Sequence, residues 1–410
     1  MSSPASPTPA ISKKAESSHV FALDGIRGLA ILMVLGHHLL FINTGPQTPV
    51  YVWARALRDS LWSGVDVFFA LSGFLITGIL IKTVAAPGFF RNFYARRILR
   101  IFPLYYAVLL ILFACTPFLH IHWGGQQWRL LTYSNHILLD THSVGWNFYF
   151  GGGVNLVNFW SLHVEEQFYM VWPLLVFLIP SPRRLIPITI ALSLASLTLR
   201  LWLTAHGMSH EVIYATLLTR SDNILIGALL ALLLETRFRN HTLRAARPIF
   251  VLSILALAAI FISRHGLLFT GGTTFAIQFT LLALMSTALI AFCLDPHSIA
   301  ARLFSKAPLR FFGKYSYGLY IFHSVLPIFL LPPLLNILAP LTAHGHAMLQ
   351  HVLTSLAELI AAVVLSVLSY RYFETPFLRL KKHFEYFTPP TIAELSDTSS
   401  TQTPMIPASR

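Results

Sequence analysis

Long apolar stretches alternate with short polar segments along almost the whole chain. Many are about 18 residues or longer, which is enough for a helix to cross a hydrocarbon core ~30 Å thick. Lipid offers no hydrogen-bond partner to the backbone, so a span must be a helix or part of a closed barrel. The stretches lack the period-two alternation of barrel strands, and they are therefore predicted to be helices. The pattern predicts an all-α polytopic membrane protein with about ten transmembrane helices, of which the fourth and sixth look short and could begin earlier. The predicted spans cover residues 24–42, 65–84, 103–119, 165–180, 184–204, 223–236, 247–263, 273–293, 315–336 and 349–372.

The composition agrees with a membrane protein. Hydrophobic residues make up 55% and charged residues 11% of the 410 residues, whereas a soluble domain carries about 25% charged residues. The mean hydropathy is +0.65. A water-soluble chain of this length could not bury so much apolar surface.

The basic residues predict how the spans are oriented. With a cytoplasmic N-terminus, 23 of the 29 Lys and Arg residues fall on the cytoplasmic side, five fall on the other side and Arg200 lies inside a span. This bias is the positive-inside signal, so both termini are predicted to be cytoplasmic. The net charge of +13 is explained by loops that face an anionic leaflet, and no nucleic-acid partner is expected.

The two ends of the chain differ from the spans between them. Residues 1–20 and 381–410 are polar and rich in Ser, Thr and Pro, so they are predicted to be disordered cytoplasmic tails that flank a membrane domain of residues 21–380. Cys115 and Cys293 fall in apolar spans and are predicted to be buried without a disulfide. The sequence motifs contain no metal-ligand cluster, so no metal is expected.

The first span carries an arginine and a histidine that share one face. Arg27 and His38 are eleven residues apart, which places them roughly 20° apart around the helix and about 16 Å apart along it. His37 is predicted to face elsewhere. An ionisable pair at the two ends of a span marks the ends of a passage, although an arginine that reaches the headgroups and a histidine satisfied within the bundle would give the same pattern.

A basic amphipathic segment precedes the third span and reads FFRNFYARRILRIFP. Its Arg97 and Arg100 are three residues apart and therefore share a helical face. Two guanidinium groups on one face suit phosphate groups, because arginine offers a planar fork of donors. The alternative is an interfacial helix that binds anionic lipid.

The segment NFWSLHVEEQFYMVWP opens the fourth span. Ser161 and Glu165 are four residues apart and line one helical face, and Ser161 is a candidate for substrate binding. A carboxylate entering a span can orient an imidazole or accept a substrate hydroxyl. Glu166 is predicted to point about 100° away from Glu165.

Other polar residues in or near spans give weaker signals. Asp66, at the start of the second span, and His323, in the ninth, are candidates for substrate binding. Helix packing or a local ion pair would explain each of them equally well.

Four segments in this order resemble acyltransferase family 3, the multi-pass membrane acyltransferases that include the O-antigen acetylases. They are LDGIRGLAILMVLGHH, GVDVFFALSGFLIT, FYARRILRIFPLYY and FWSLHVEEQFYMVWPLL. Weaker blocks follow, namely RSDNILIGALLALL, FFGKYSYGLYIFH and SYRYFETP, so that the resemblance covers about residues 20–380. The family's basic residue and histidine match Arg27 and His38, its Arg-x-x-Arg matches Arg97 and Arg100, and its Ser-Leu-x-x-Glu begins at Ser161.

The resemblance implies transfer of an acyl group, usually acetyl, from cytoplasmic acyl-CoA to a hydroxyl of a cell-envelope carbohydrate, glycolipid or related acceptor. It implies the bacterial inner membrane, a lipid bilayer as surroundings, no permanently bound cofactor and a single-domain form, whose extracytoplasmic partner, if one is needed, is a separate protein. Arg97 and Arg100 would hold the phosphates of acyl-CoA, with Arg27 beside them. His38 would be a general base or carry the acyl group itself, and Glu165 would orient His38 or bind the acceptor.

The sequence is also compatible with two other classes of protein. A secondary transporter would use Arg27, His38 and Glu165 as a proton or substrate path. It leaves the basic 89–103 segment poorly explained, and a requirement for acyl-CoA would distinguish it from an enzyme. A structural membrane scaffold leaves the aligned Arg27 and His38 unexplained.

Overall fold

The structure is a computed structural model that describes residues 20–40, 48–134, 156–268 and 271–386. Within these ranges it is built from helices and contains no strand. The helices of the first half are α1 (Phe21–Leu39), α2 (Pro49–Ser60), α3 (Gly64–Thr83), α4 (Phe89–Ala114), α5 (Thr116–Leu119), α6 (Gln127–Leu131), α7 (Phe159–Leu178) and α8 (Pro182–Ala205). Those of the second half are α9 (His210–Ala215), α10 (Leu217–Leu234), α11 (Arg239–Arg264), α12 (Thr273–Cys293), α13 (Ile299–Phe304), α14 (Ala307–Lys314), α15 (Ser316–Ala343), α16 (Ala347–Leu368) and α17 (Thr375–Arg379). A π-helical segment, Ser369–Glu374, joins α16 to α17.

The all-α polytopic architecture predicted from the sequence is confirmed. In the described residues, nine helical segments are long and apolar enough to cross a membrane. Each predicted span except 165–180 overlaps one of the nine. That span lies in α7, a 20-residue helix whose N-terminal half is made more polar by Glu165 and Glu166. The fourth and sixth spans do begin earlier than the apolar pattern indicates, at Phe159 and Leu217.

Glycines let α3 and α10 pack with their backbones almost in contact. A Cβ atom added at Gly73 of α3 would lie 1.8 Å from the carbonyl oxygen of Ile224, and one added at Gly227 of α10 would lie 2.0 Å from that of Ala70. Small residues at helix crossings are the usual route to tight packing in membranes, where lipid is as apolar as the side chains. Close backbone contact at glycines also packs α1 against α13 and α14, at Gly25, Gly28 and Gly313.

Two buried ion pairs join the helices around this crossing. The Arg200 guanidinium of α8 donates to both carboxylate oxygens of Asp222 on α10, at 2.8 and 2.7 Å. Arg220 of α10 donates to Asp66 of α3 at 2.7 Å. All four side chains have no solvent-exposed surface, so each charge depends on its partner. Arg200 also donates to Thr280 of α12 at 2.6 Å, which ties a further helix to the cluster.

The predicted start of the C-terminal tail, at residue 381, is too early. A short 3₁₀ turn, Leu380–Phe384, follows α17 and packs on α4. The Arg96 side chain donates to the carbonyl oxygen of Lys381 at 3.3 Å, and Asn92 donates to that of Glu385 at 3.2 Å. These polar residues are ordered by contacts with a distant helix, which composition could not reveal. The remaining tail residues, 1–19 and 387–410, lie outside the described residues.

We predict that Gly73→Ala destabilises the protein by about 1–3 kcal/mol, because the added methyl group forces the α3 and α10 backbones apart. Gly78→Ala is the matched control, since Gly78 is on the same helix with no atom within 4 Å of the added Cβ. Thermal unfolding of both purified variants in one detergent is the measurement. Equal midpoints for the two variants would show that the crossing tolerates a side chain.

Candidate active site

A cavity of about 250 Å³ is lined by three arginines from two helices, and we call it the arginine cavity. Arg27 reaches it from α1, and Arg97 and Arg100 reach it from α4. The resemblance implied that Arg27 lies beside Arg97 and Arg100, and all three line this cavity. Further polar residues that line the cavity are Ser72, Ser161, Glu165, Glu166, Tyr169, Tyr317 and Tyr320.

Aromatic rings and one carboxylate hold two of the guanidinium groups. The Arg97 guanidinium lies 5.8 Å from the centre of the Phe93 ring and 5.6 Å from that of Tyr169, a cation–π arrangement. Arg27 forms an ion pair with Asp24, one turn earlier on α1, at 3.1 Å. Both contacts fix the guanidinium groups of arginines that line the cavity.

Lys381 adds a fourth positive charge beside the three arginines. The sequence pattern had predicted that this residue belongs to the C-terminal tail. Its place in the 3₁₀ turn after α17 is fixed by the hydrogen bonds from α4 described above. There it interacts electrostatically with Arg100, Arg97 and Arg96. Like charges gathered at one site repel each other, so this group of cations favours an anionic ligand.

A second cavity, of about 120 Å³, contains His38 and we call it the histidine cavity. His38 lines this space, and its ring centre lies 4.8 Å from that of His37 and 5.2 Å from that of His323. His37 was predicted to face away from Arg27 and His38, but it lines the same cavity as His38. Its Nδ1–H donates to the carbonyl oxygen of Arg58 at 3.2 Å, so His37 is tied to the backbone.

His323 packs behind His38 and lines neither of these cavities. A carbonyl oxygen can only accept, so the His323 Nδ1–H donates to Leu319 at 3.0 Å and Nε2 accepts from Asn158 at 3.0 Å. Both ring nitrogens are thereby engaged. The geometry gives His323 a supporting role beside the His38 ring and does not favour the predicted contact with a substrate.

The predicted contact between Glu165 and His38 is not formed. Glu165 lines the arginine cavity, where it interacts with Arg97 and Arg27 and hydrogen-bonds Ser72. The polar side chain that interacts with His38 is that of Asn158, which precedes α7 and lines the same cavity. Glu166 lines the arginine cavity as well, because the cavity is wide enough to contact side chains on two neighbouring faces of α7.

Tyr320 and Ser161 form the boundary between the two cavities. Tyr320 lines both of them, as does Val65. The Tyr320 hydroxyl donates to the carbonyl oxygen of Asn158 at 2.9 Å and shares a hydrogen bond with the Ser161 hydroxyl at 2.5 Å. The predicted substrate-binding Ser161 therefore sits at the junction and holds this ring.

Asp66 does not reach either cavity, and its predicted substrate-binding role is not supported. Its carboxylate is buried and accepts from Arg220 at 2.7 Å and from Asn223 at 2.6 Å. A carboxylate engaged in this way is part of the packing between α3 and α10. The sequence placed Asp66 correctly at the start of a span but could not show which side chain it faces.

Comparison with known proteins shows the family of the chain. The family described as "Acyltransferase domain" (Acyl_transf_3) matches residues 20–371, and the chain belongs to this family. Peptidoglycan O-acetyltransferase OatA of Listeria monocytogenes is 30% identical over 387 residues, covering 90% of this chain and 57% of the relative. Putative peptidoglycan O-acetyltransferase YrhL of Bacillus subtilis is 30% identical over 380 residues, with 87% and 55% covered.

A putative O-acetyltransferase of Staphylococcus aureus is 25% identical over 393 residues, covering 90% of this chain and 59% of the relative. The chain thus spans a little over half of the length of these relatives. No solved structure matches the chain.

We predict that Asp66→Ala destabilises the protein by about 3–5 kcal/mol, because it leaves the Arg220 charge buried without its carboxylate. The acceptor concentration needed for half-maximal acyl transfer should not change in the protein that remains folded. Thermal unfolding and activity per folded molecule are the measurements. Replacing both partners, in Asp66→Leu with Arg220→Met, should recover much of the loss. A stable Asp66→Ala protein with a raised acceptor requirement would instead establish substrate binding.

Proposed function

We propose that this protein transfers an acetyl group from acyl-CoA, bound at the arginine cavity, to a hydroxyl of a cell-wall carbohydrate at the histidine cavity. One observation carries the proposal. Helix α1 presents Arg27 to the first cavity and His38 to the second, about 16 Å further along its axis. Tyr320 and Val65 line both cavities, so the two spaces adjoin.

The arginine cavity has the charge and the donors that a nucleotide requires. Arg97, Arg100 and Arg27 face one space, and guanidinium groups bind phosphate through paired hydrogen bonds. Lys381 extends the positive field at the same end. The nucleotide part of acyl-CoA is too polar to cross a membrane, so it stays at this end while its flexible pantetheine arm carries the thioester towards Tyr320.

His38 is placed to act on the acceptor or on the acyl group. As a general base it takes the proton of the acceptor hydroxyl, whose oxygen attacks the thioester carbonyl. The C–O bond forms, the C–S bond breaks and CoA leaves as a thiol once it has gained a proton. As a nucleophile, His38 first takes the acyl group and then passes it to the hydroxyl. Asn158 would orient the imidazole in either case, since its side chain lines the same cavity and interacts with His38.

The acceptor class is supported by the lining of the histidine cavity and by the relatives. The rings of Trp62, Trp160 and Tyr214 line this cavity together with the polar groups of His38 and Asn158. Aromatic faces combined with a few polar groups suit a sugar ring. Two relatives are named as peptidoglycan O-acetyltransferases, so a peptidoglycan saccharide is our proposed acceptor.

The proposed orientation places the arginine cavity towards the cytoplasm of a bacterium and the histidine cavity towards the cell wall. It is supported by the bias of Lys and Arg residues towards one side of the predicted spans. The arrangement supplies a cytoplasmic donor to an acceptor that lies outside the cell membrane.

We predict that His38→Ala abolishes acetyl transfer, because it removes the base or acyl carrier. His37→Ala should reduce it less, since His37 is tied to the backbone of Arg58. The measurement uses purified protein in lipid nanodiscs with radiolabelled acetyl-CoA and peptidoglycan fragments as acceptor. Equal losses of acetyl transfer in the two variants would contradict the proposed catalytic role of His38. A folded wild-type protein that transfers no label would disprove the enzyme, and movement of substrate across liposomes would then favour a transporter.

We also predict that Arg97→Ala and Arg100→Ala each raise the KM for acetyl-CoA by about 10- to 100-fold, because a hydrogen bond to a charged group contributes about 1.5–3 kcal/mol. Arg91→Ala is the matched control, since Arg91 lies on the same helix, is exposed and does not line the cavity. Steady-state kinetics at saturating acceptor is the measurement. If the two cavity variants change only the amount of protein in the membrane, these arginines set topology and do not bind the donor.

A further inference from the structure

Tyr320 lines both cavities, and its ring is held from several sides. Its hydroxyl is fixed by Ser161 and by the carbonyl oxygen of Asn158. Its ring centre lies 6.3 Å from that of Phe68 and 5.5 Å from that of His323, both in edge-to-face contact. The side chain is buried, so this ring is a fixed part of the boundary.

We propose that Tyr320 determines which acyl groups the enzyme accepts, by limiting the length of the chain that can extend beyond the thioester. This inference rests on the proposed function. A thioester that comes from the arginine cavity meets the Tyr320 ring before it reaches His38, because the ring lines both spaces. The acyl group must therefore fit beside this ring.

The size of the histidine cavity supports a short acyl group. Its volume is about 120 Å³, and the acceptor hydroxyl must share that space with the acyl group. An acetyl group adds a single methyl beyond the carbonyl carbon, whereas a butanoyl or hexanoyl group adds a chain that would have to displace the ring. Displacing it would break its hydrogen bonds to Ser161 and Asn158 and disturb the edge-to-face contacts.

Tyr317 provides a matched control one turn earlier on α15. It lines the arginine cavity but not the histidine cavity. Its hydroxyl is also engaged, donating to the carbonyl oxygen of Ile101 at 2.6 Å. The two tyrosines thus share residue type, helix and hydrogen-bonded state, and they differ in whether they border the space around His38.

The test measures kcat/KM for acetyl-CoA, butanoyl-CoA and hexanoyl-CoA with one peptidoglycan fragment as acceptor. In Tyr320→Ala, the ratio of hexanoyl to acetyl transfer should rise by about tenfold or more, since a pocket discriminates about 10- to 200-fold for one methylene. In Tyr317→Ala the ratio should stay at the wild-type value, whatever happens to the rate. Tyr320→Phe keeps the ring and should keep the acetyl preference.

An unchanged ratio in Tyr320→Ala, with acetyl transfer retained, would overturn the inference. Tyr320→Leu repeats the comparison if the alanine variant does not fold, because leucine is smaller than tyrosine but still fills part of the apolar site. A rise of the same size in Tyr317→Ala would also overturn it, because the effect would then come from general loosening of α15.

A second measurement does not depend on activity. A His38→Cys protein that also carries Cys115→Ala and Cys293→Ala is reconstituted in vesicles and exposed to a small membrane-impermeant thiol reagent on the side of the arginine cavity. Labelling should be several-fold faster with Tyr320→Ala than with Tyr317→Ala, because the boundary has been opened. If wild-type protein transfers no acyl group, the proposed function is wrong. Equal labelling rates in the Tyr320→Ala and Tyr317→Ala proteins would separately refute the boundary role of Tyr320.

Discussion

Charged side chains buried inside a bundle of membrane helices must be paired, and the rest of this structure depends on two such pairs. Arg200 with Asp222 and Arg220 with Asp66 are buried without exposed surface, and they fix α3, α8 and α10 relative to one another. Helix α3 in turn forms a wall of both cavities, through Val65 at their boundary and further residues such as Ser72 in the arginine cavity. The position of the cavities therefore follows from ion pairs that take no part in the proposed chemistry.

Besides α3, helices α1, α7 and α15 run along the two cavities, and each places different side chains in each cavity. Helix α1 offers Arg27 and then His38, and α15 offers Tyr317, then Tyr320 between the cavities. Helix α7 runs the opposite way, with Asn158 at its start in the histidine cavity and Glu165 in the arginine cavity. Because a helix rises 1.5 Å per residue, these positions, three to eleven residues apart in sequence, lie at successive depths along the same path.

Features that depend on one helix could be predicted from the sequence, whereas features that depend on packing between helices could not. The face shared by Arg27 and His38 follows from local helix geometry, and so does that of Arg97 and Arg100. Asp66 looked equally suitable for a substrate, and its engagement by Arg220 on another helix appears only in three dimensions. Lys381 was assigned to a tail because its neighbours are polar, yet Arg96 on α4 fixes its backbone. The family's spacing placed the serine and glutamate correctly on one helix, but it could not reveal that Glu165 and His38 line different cavities.

The separation of the two cavities has a chemical consequence for the proposed reaction. A thioester that stood open to water beside His38 could be hydrolysed, because the same base that activates a sugar hydroxyl also activates water. The Tyr320 ring, held by Ser161 and Asn158, lies between the proposed donor end and His38. The acceptor then enters the space in which the imidazole lies, and its hydroxyl takes the place that a water molecule would occupy. In the proposed reaction, a fixed aromatic boundary would therefore favour transfer over hydrolysis, while the distant arginines would hold the nucleotide without changing the reactivity of the carbonyl group.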